Sequence, residues 1–244
     1  MPTILIAGLG LIGGSAGMAL RARGWYVRYV DPHVSLEEAR RAGAADERVE
    51  HFGDADLTLL AAPLDVAIGH LRETQTLVTS ACGLMQPLRE LGHARFVAGH
   101  PMAGSEQSGL AAARADLFEG KRWFVDDDDA LVEQMIADCG ARSERVDARE
   151  HDDAMALVSQ LPQLLSTALA AYLDDRDVAR FAGSGLATFL RLASSDATVW
   201  APLLAANRET LAPHADALAT IVRELIDGDP RELFAKAQRF RRTL

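Results

Sequence analysis

Glycines near the start of the chain have the spacing G-x-G-x-x-G that accommodates the pyrophosphate of a dinucleotide. The first glycine of this motif permits a tight turn, the second lets the backbone approach the phosphates, and the third lets helix and strand pack closely. The following helix then offers unpaired backbone N–H groups to the anion. The residues assigned to this motif are Gly8, Leu9, Gly10, Leu11, Ile12 and Gly13.

An acidic residue, Asp31, follows the glycines by about 20 residues, the spacing at which a carboxylate binds the ribose 2′-hydroxyl. A carboxylate there would repel a 2′-phosphate, so the sequence predicts NAD rather than NADP as the cofactor. The alternative is that Asp31 only forms the turn before Pro32. Ala62 and Pro63, which come directly after an apolar run at Leu57–Ala61, are also assigned to cofactor binding.

A histidine, His100, stands just beyond a short apolar run at Phe96–Ala98. If that run is a strand of an open α/β sheet, the imidazole lies at the carboxyl edge, where ligands of such sheets bind. An imidazole at this position could accept a proton during catalysis. The alternative is that His100 has no catalytic role and is a histidine whose ring is hydrogen-bonded in the core or at the surface.

Strands and helices of one domain must position the glycine motif, Asp31 and His100. Apolar runs at Thr3–Ala7 and Tyr26–Val30 flank the glycine motif and its helix, and Ser35 with Glu38 forms a capping box for the next helix. Further apolar runs fit a parallel, doubly wound sheet, and they are Leu57–Ala61, Leu77–Thr79, Phe96–Ala98 and Trp123–Val125. The sequence predicts a Rossmann-type domain over residues 1–147.

From residue 148 to 244 the strand pattern is replaced by Ala, Leu and Arg at helical spacing, which predicts an all-helical second domain. Pro162 should interrupt a long helix in this domain. Leu211, Leu218 and Leu225 recur every seven residues and form a seam for another helix. The partner helix belongs either to the same core or to a second subunit, and we predict a homodimer through these helices.

The composition narrows the possible partners. The formal charge is −10, which would repel nucleic acid and an anionic membrane surface, so neither is expected as a partner. An anionic substrate would instead require a local cation. Two cysteines do not form a disulfide framework or a zinc site, so no metal is expected. No basic leader and no apolar stretch of roughly 20 residues is found, so the sequence predicts a cytoplasmic protein.

Several segments together resemble the prephenate/arogenate dehydrogenase family. They include Gly99–Glu106, the stretch Arg114–Gly120, the tripeptide Glu150–Asp152, the stretch Val158–Gln163 and the segment Phe189–Asp196 with Trp200 and Asn207. With the glycine motif, the resemblance covers nearly the whole chain. It implies NAD-dependent oxidative decarboxylation of a small cyclohexadienyl acid, namely prephenate or arogenate, on the route to tyrosine.

The resemblance also implies roles for individual residues. His100 would accept a hydrogen bond from the C4 hydroxyl of the substrate as hydride leaves, which requires a neutral imidazole. Arg191 would bind the ring carboxylate through two parallel donors. The remaining residues assigned to the substrate site are Ser105, Glu106, Gln163 and Trp200.

The sequence departs from the family pattern at two places. The serine that contacts the catalytic histidine in the family is replaced by Gly83, so His100 needs another partner. Ser80, Ser105 and a bound water are the candidates. The family motif His-Leu-Pro-His is Gln160-Leu-Pro-Gln163, which removes two imidazoles near the substrate side chain and leaves the choice between prephenate and arogenate open.

Two other functions are weighed against this one. A β-hydroxyacid dehydrogenase would normally carry a lysine on the helix at the domain junction. The lysines of this chain are Lys121 and Lys236, and neither is expected on that helix. An NAD-binding regulator that has lost its chemistry is the non-enzymatic alternative. Prephenate dehydrogenase is the predicted function.

Overall fold

The computed structural model describes residues 1–105 and 107–243. The strands are β1 Thr3–Ala7, β2 Tyr26–Val30, β3 Glu47–Arg48, β4 Leu57–Leu60, β5 Leu77–Ser80, β6 Phe96–Val97, β7 Gly99–Pro101, β8 Arg122–Val125 and β9 Arg142–Arg145. The helices are α1 Leu11–Ala22, α2 Leu36–Arg41, α3 Leu64–Glu73, α4 Gln86–Arg89, α5 Ala130–Asp138, α6 Ala148–Met155, α7 Leu161–Asp174, α8 Ser184–Phe189, α9 Ala197–Ala206, α10 Arg208–Asp227 and α11 Arg231–Arg241.

The main sheet has six parallel strands in the order β3-β2-β1-β4-β5-β6. This confirms the predicted doubly wound sheet. Its strand order reverses between β1 and β4, and a crevice for ligands opens at the carboxyl ends of the strands at such a reversal. Alternate residues of β1 contribute to two buried clusters: Ile4 and Ile6 belong to one, and Ala7 belongs to the other.

The prediction that Trp123–Val125 extends the parallel sheet is wrong. Strand β8 lies in a separate sheet, where it pairs antiparallel with β7 and parallel with β9. Only Trp123 and Val125 of this strand are fully buried, whereas β4 and β5 are buried along their whole length. Alternating burial is typical of a sheet with one face on the core, and continuous burial is typical of a parallel sheet covered on both faces.

The helical region begins at α6, whose N-cap Asp147 accepts hydrogen bonds from the N–H groups of Arg149 and Glu150. A π-helical segment, Ala156–Gln160, joins α6 to α7, and Pro162 lies in the first turn of α7. Proline lacks the N–H that would continue the regular ladder, which accounts for the irregular turn before it. The interruption expected at Pro162 is therefore confirmed.

The helical region carries much exposed apolar surface. The combined helix Ala148–Asp174 is long and apolar enough to cross a membrane by length and composition alone, which corrects the expectation that no such stretch exists. Its buried His151, Asp152 and Gln163 are polar, and each is hydrogen-bonded within the protein. Of the heptad leucines, Leu211 is buried and Leu225 is exposed within one chain.

Candidate active site

The glycine turn between β1 and α1 is built so that larger residues do not fit. Gly8 has a φ of +92°, and a Cβ placed on it would lie 2.8 Å from the Ala61 carbonyl oxygen and 3.0 Å from the Ala62 nitrogen. A Cβ on Gly13 would lie 1.9 Å from the Gly8 carbonyl oxygen. The turn at Gly8 therefore lies directly against Ala61 and Ala62, in the segment after β4, where Pro63 is the N-cap of α3.

The other side of the turn is open. A Cβ on Gly10 would have no neighbour within 4 Å. Gly10 is also the N-cap of α1, and no side chain among the described residues forms a capping hydrogen bond with this helix. The N–H groups of Leu11 and Ile12 in its first turn are therefore available to an anion.

Asp31 lies at the end of β2 beside this turn. Its Oδ2 accepts a hydrogen bond from the Leu9 N–H at 2.8 Å, and its Oδ1 accepts one from the His33 N–H at 2.7 Å. The carboxylate thus stabilises its own turn and fixes the glycine turn, and its oxygens retain further acceptor capacity. The site fits a dinucleotide with a free ribose 2′-hydroxyl, because three features lie side by side. They are the open side of the glycine turn at Gly10, the N-terminus of α1 and the carboxylate of Asp31.

The backbone around His100 is fixed from two sides. The hydroxyl of Ser80, the last residue of β5, donates to the Gly99 carbonyl at 3.0 Å and accepts from the Gly99 N–H at 3.1 Å. The largely buried carboxylate of Asp126 accepts from the Ala98 N–H at 2.8 Å. His100 itself lies in β7, opposite Phe124 of β8. Ser80 therefore positions the main chain rather than the imidazole.

The partner of the imidazole is a second histidine. His100 Nδ1 lies 3.0 Å from His151 Nε2, and His151 Nδ1 lies 2.8 Å from Asp152 Oδ1. The two rings meet edge to face, with centroids 5.1 Å apart. His151 is buried at the start of the helical region, 51 residues from His100 along the chain. It was not among the partners considered from the sequence, and the only sequence signal was the tripeptide Glu150–Asp152.

Burial, with a smaller contribution from the repulsion that would arise if His100 and His151 were both protonated, lowers the pKa of His100 to about 3. The ring is therefore uncharged near neutral pH and can accept a hydrogen bond. Its Nδ1 is occupied by His151. Within residues 1–105 and 107–243, no hydrogen bond reaches His100 Nε2, which leaves that nitrogen for a ligand.

The other residues assigned to the substrate site lie on separate elements of the chain. Ser105 is exposed, and its hydroxyl accepts from the Gln107 N–H at 3.1 Å. Arg191 is exposed on the 3₁₀ turn Leu190–Ser194, and Trp200 is half-buried on α9. Among the described residues, no hydrogen bond joins Ser105 or Trp200 to His100. Glu106 lies outside the described residues.

Gln163 is buried and its amide contacts the protein itself. Its Nε2 donates to the Leu192 carbonyl at 2.8 Å and to Thr167 Oγ1 at 3.1 Å, and its Oε1 accepts from Ser195 Oγ at 3.3 Å. Both amide hydrogens are thus used: the bond to Leu192, with that from Ser195, joins α7 to the segment that carries Arg191, and the bond to Thr167 lies within α7. A contact between Gln163 and the substrate side chain stays a prediction, with Oε1 as the atom that has spare capacity.

Gln160 is likewise engaged, because its Oε1 accepts from Asn207 Nδ2 at 2.9 Å. The same Asn207 nitrogen donates to the Asp152 carbonyl at 3.0 Å. At the position of the family serine, a Cβ on Gly83 would lie 3.3 Å from Leu203 Cδ1 of α9. Gln160 is therefore bonded within the helical region, and Gly83 lies against it.

Comparison with known proteins identifies the family. Residues 16–149 match the family described as "Prephenate dehydrogenase, nucleotide-binding domain", and residues 147–236 match "Prephenate dehydrogenase, dimerization domain". The chain belongs to the prephenate dehydrogenase family. This confirms the resemblance drawn from the sequence.

Individual members of the prephenate dehydrogenase family agree. The chain is 35% identical to "Probable prephenate dehydrogenase NovF" of Streptomyces niveus, over 94% of this chain and 71% of the relative. It is 30% identical to the prephenate dehydrogenase of Lactococcus lactis, over 86% of this chain and 66% of the relative. The chain thus spans about two thirds of the length of these relatives.

The fold agrees with a solved member of the prephenate dehydrogenase family. The crystal structure of the Aquifex aeolicus enzyme, in complex with hydroxyphenyl propionate and NAD⁺, superposes with a TM-score of 0.84 at 25% identity. The match covers 100% of this chain and 98% of that chain. The Rossmann-type sheet and the helical region therefore have the family arrangement.

Proposed function

We propose that this chain is an NAD-dependent prephenate dehydrogenase, which converts prephenate to 4-hydroxyphenylpyruvate and CO₂. The observation that carries the proposal is the state of His100. Its ring is uncharged, its Nδ1 is held by His151, and its Nε2 has no partner among the described residues. This is the arrangement that a hydroxyl of the substrate requires in an acceptor.

The cofactor would occupy the glycine turn. The N–H groups at the start of α1 would bind the pyrophosphate, and Asp31 would accept from the ribose 2′-hydroxyl. When bound, NAD⁺ supplies the acceptor for the hydride that leaves C4 of the ring. The family match to a nucleotide-binding domain over residues 16–149 supports a dinucleotide as the cofactor.

His100 acts on the hydroxyl of C4. Its Nε2 accepts the hydroxyl proton as the carbon–oxygen double bond develops, which raises the electron density available to the departing hydride. The bond between the ring and its carboxylate then breaks, CO₂ leaves, and the electron pair completes the aromatic ring. The proton returns from Nε2 to the phenol oxygen, so the histidine ends the cycle uncharged.

Arg191 would bind the carboxylate that becomes CO₂, through the paired donors of its guanidinium. This supplies the local cation that a chain of charge −10 needs for an anionic substrate. Prephenate and arogenate share this carboxylate and differ only at the side chain.

Arogenate is the second candidate substrate. Gln160 and Gln163 are neutral amides at positions where the family carries imidazoles, so the protein lacks two groups that could become cations beside a pyruvyl carboxylate. Losing a cation disfavours prephenate more than the zwitterionic arogenate. We therefore infer that prephenate is used and that arogenate is oxidised beside it.

A homodimer formed by the helical region accompanies this function. Large apolar side chains are exposed on α10 and in the segment before α8, among them Val222 (47%), Ile226 (76%) and Phe181 (73%). Such a surface is typical of an interface. The family match to a dimerization domain supports the proposal, and a cytoplasmic location goes with it as a prediction.

The test is steady-state formation of NADH from NAD⁺ with prephenate and, separately, with arogenate. Wild-type protein should turn over prephenate, and His100→Asn should not reach its rate. NADH binding to both proteins, followed by fluorescence, is the control for folding. An NAD-binding regulator would bind the dinucleotide and turn over neither acid, and that result would reject the proposal.

A further inference from the structure

A chain of hydrogen bonds runs from the nucleotide-binding region through the first helix of the helical region to His100. The N–H groups of Met85 and Gln86 donate to the carboxylate of Asp152 at 2.9 Å each. Asp152 contacts His151, and His151 contacts His100. Asp152 and His151 are both buried, so solvent does not compete for these bonds.

The direction of this chain follows from its first member. Backbone N–H groups can only donate, so the oxygens of Asp152 act as acceptors toward Met85 and Gln86. Of a carboxylate and an imidazole, the imidazole is the stronger base, so the proton between Asp152 and His151 resides on the ring. His151 therefore carries its proton on Nδ1 and donates it to Asp152 Oδ1.

The same logic fixes the next bond. When His151 carries one proton, on Nδ1, its Nε2 has a lone pair and can only accept. The contact of 3.0 Å with His100 Nδ1 then requires that His100 donates. His100 thus carries its own proton on Nδ1, and the lone pair lies on Nε2.

We propose that Asp152 and His151 are positioning residues that set the tautomer of His100, so that its Nε2 presents a lone pair to the substrate hydroxyl. This inference rests on the proposed function for its catalytic meaning, although the tautomer itself is independent of any substrate. The opposite tautomer would place a hydrogen on Nε2, which would then face the hydrogen of the C4 hydroxyl and could not accept it.

A structural role for Asp152 must be separated from this one, because the carboxylate also joins α6 to the start of α4. The variant Asp152→Asn achieves the separation. Its single oxygen can still accept from Gln86 and Met85, while its amide nitrogen donates to His151 Nδ1. His151 must then carry its proton on Nε2 and donate to His100, which inverts the tautomer with almost no change in shape.

The first measurement is the tautomer itself, read from long-range ¹H–¹⁵N spectra of protein labelled at its seven histidines. The signals of His100 are assigned by their loss in His100→Asn. We expect the Nδ1–H form in wild type and the Nε2–H form in Asp152→Asn. A wild-type protein with the proton on Nε2, or a variant that keeps it on Nδ1, would overturn the proposal.

The second measurement is kinetic. Asp152→Asn should lower kcat for prephenate by about 10²- to 10⁴-fold, the range for loss of a correctly protonated base. KM for NAD⁺ should stay within about twofold, because the cofactor cradle is not touched. A variant with the inverted tautomer and a kcat within about threefold of wild type would contradict the proposed role.

Matched variants separate positioning from stability. In His151→Gln the amide oxygen can accept from His100 Nδ1 while the amide nitrogen donates to Asp152, so activity should be partly kept; in His151→Phe it should be lost. Asn207→Ala removes bonds to the Asp152 carbonyl and to Gln160 in the same junction without altering the ring contacts. It should lower Tm yet leave the tautomer of His100 unchanged.

The outcomes for the two proposals differ. If the tautomer inverts in Asp152→Asn but wild type oxidises no cyclohexadienyl acid, the proposed function fails and the assignment of the proton stands. If wild type turns over prephenate while His151→Phe is as active as His151→Gln, the positioning role fails and the function stands.

Discussion

Replacing Asp31 with serine tests the cofactor preference at a residue that also holds the glycine turn through a hydrogen bond from the Leu9 N–H. The carboxylate would give the ribose a charge-assisted hydrogen bond worth roughly 1.5–3 kcal/mol. Its loss corresponds to a decrease of roughly 10- to 150-fold in kcat/KM for NAD⁺. The same change removes the repulsion of a 2′-phosphate, so kcat/KM for NADP⁺ should rise.

Stability should change as well, because Asp31 accepts from the N–H of the buried Leu9. An unpaired buried donor costs about 1–3 kcal/mol. For a chain of this size that corresponds to a decrease in Tm of about 2 to 12 °C. Asp31→Asn is the matched control, since its oxygen can keep the bond to Leu9 while the charge is lost.

The assay compares kcat/KM for NAD⁺ and NADP⁺ in wild type, Asp31→Ser and Asp31→Asn, with Tm measured on the same samples. Both variants should lose selectivity, and only the serine variant should lose much stability. A wild-type preference for NADP⁺ would refute the assignment. The assignment would also be refuted if the variants had a lower Tm and an unchanged ratio of kcat/KM for NAD⁺ and NADP⁺, because Asp31 would then only stabilise the glycine turn.

Five further outcomes are expected. His100→Asn should lower kcat by about 10²- to 10⁴-fold with NADH binding intact, and a variant within about threefold of wild type would end the role of this histidine. Because the uncharged ring is the active form and the pKa of His100 is lowered to about 3, kcat should persist well below pH 6.5, the usual histidine value; a loss near that value would contradict the burial of the ring. As the pH falls, His100 is protonated in the unfolded chain before it is protonated in the folded protein, because folding lowers its pKa. Tm should therefore decrease below about pH 6.5. Arg191→Ala should raise KM for prephenate far more than KM for NAD⁺, and equal effects would place Arg191 outside the site. Light scattering should give twice the chain mass of 26.3 kDa, and Val222→Asp should shift it toward the single chain.

The part of the fold that local patterns encode was predictable. Strands Thr3–Ala7 and Tyr26–Val30 and the capping box at Ser35 agree with the structure residue for residue. Each depends on neighbours within a few positions of the chain. The placement of Trp123–Val125 was wrong because the partner of a strand is chosen by contacts distant in sequence, and an apolar run does not specify that partner.

The candidate site divides in the same way. The glycine turn could be predicted because its residues are consecutive and the spacing of its glycines has a steric reason: a Cβ on Gly13, for example, would collide with the Gly8 carbonyl oxygen. His151 could not be assigned as the partner of His100, since a buried contact over 51 residues leaves no local pattern. The bond from the Gln163 amide to the Leu192 carbonyl could not be predicted either, since it depends on a turn whose course the sequence does not specify. The contact of Gln163 with the substrate stays a prediction.

The absence of the family serine at Gly83 is consistent with this geometry. A side chain there would meet Leu203 of α9, whose Cδ1 lies 3.3 Å from the position of a Cβ. A side chain at residue 83 would therefore require the end of Leu203 to shift by a few tenths of an ångström. The imidazole does not depend on residue 83, because His151 occupies its Nδ1 and Ser80 fixes the backbone at Gly99. His100 is oriented instead by a histidine of the helical region, so its alignment depends on the contact between the two parts of the chain.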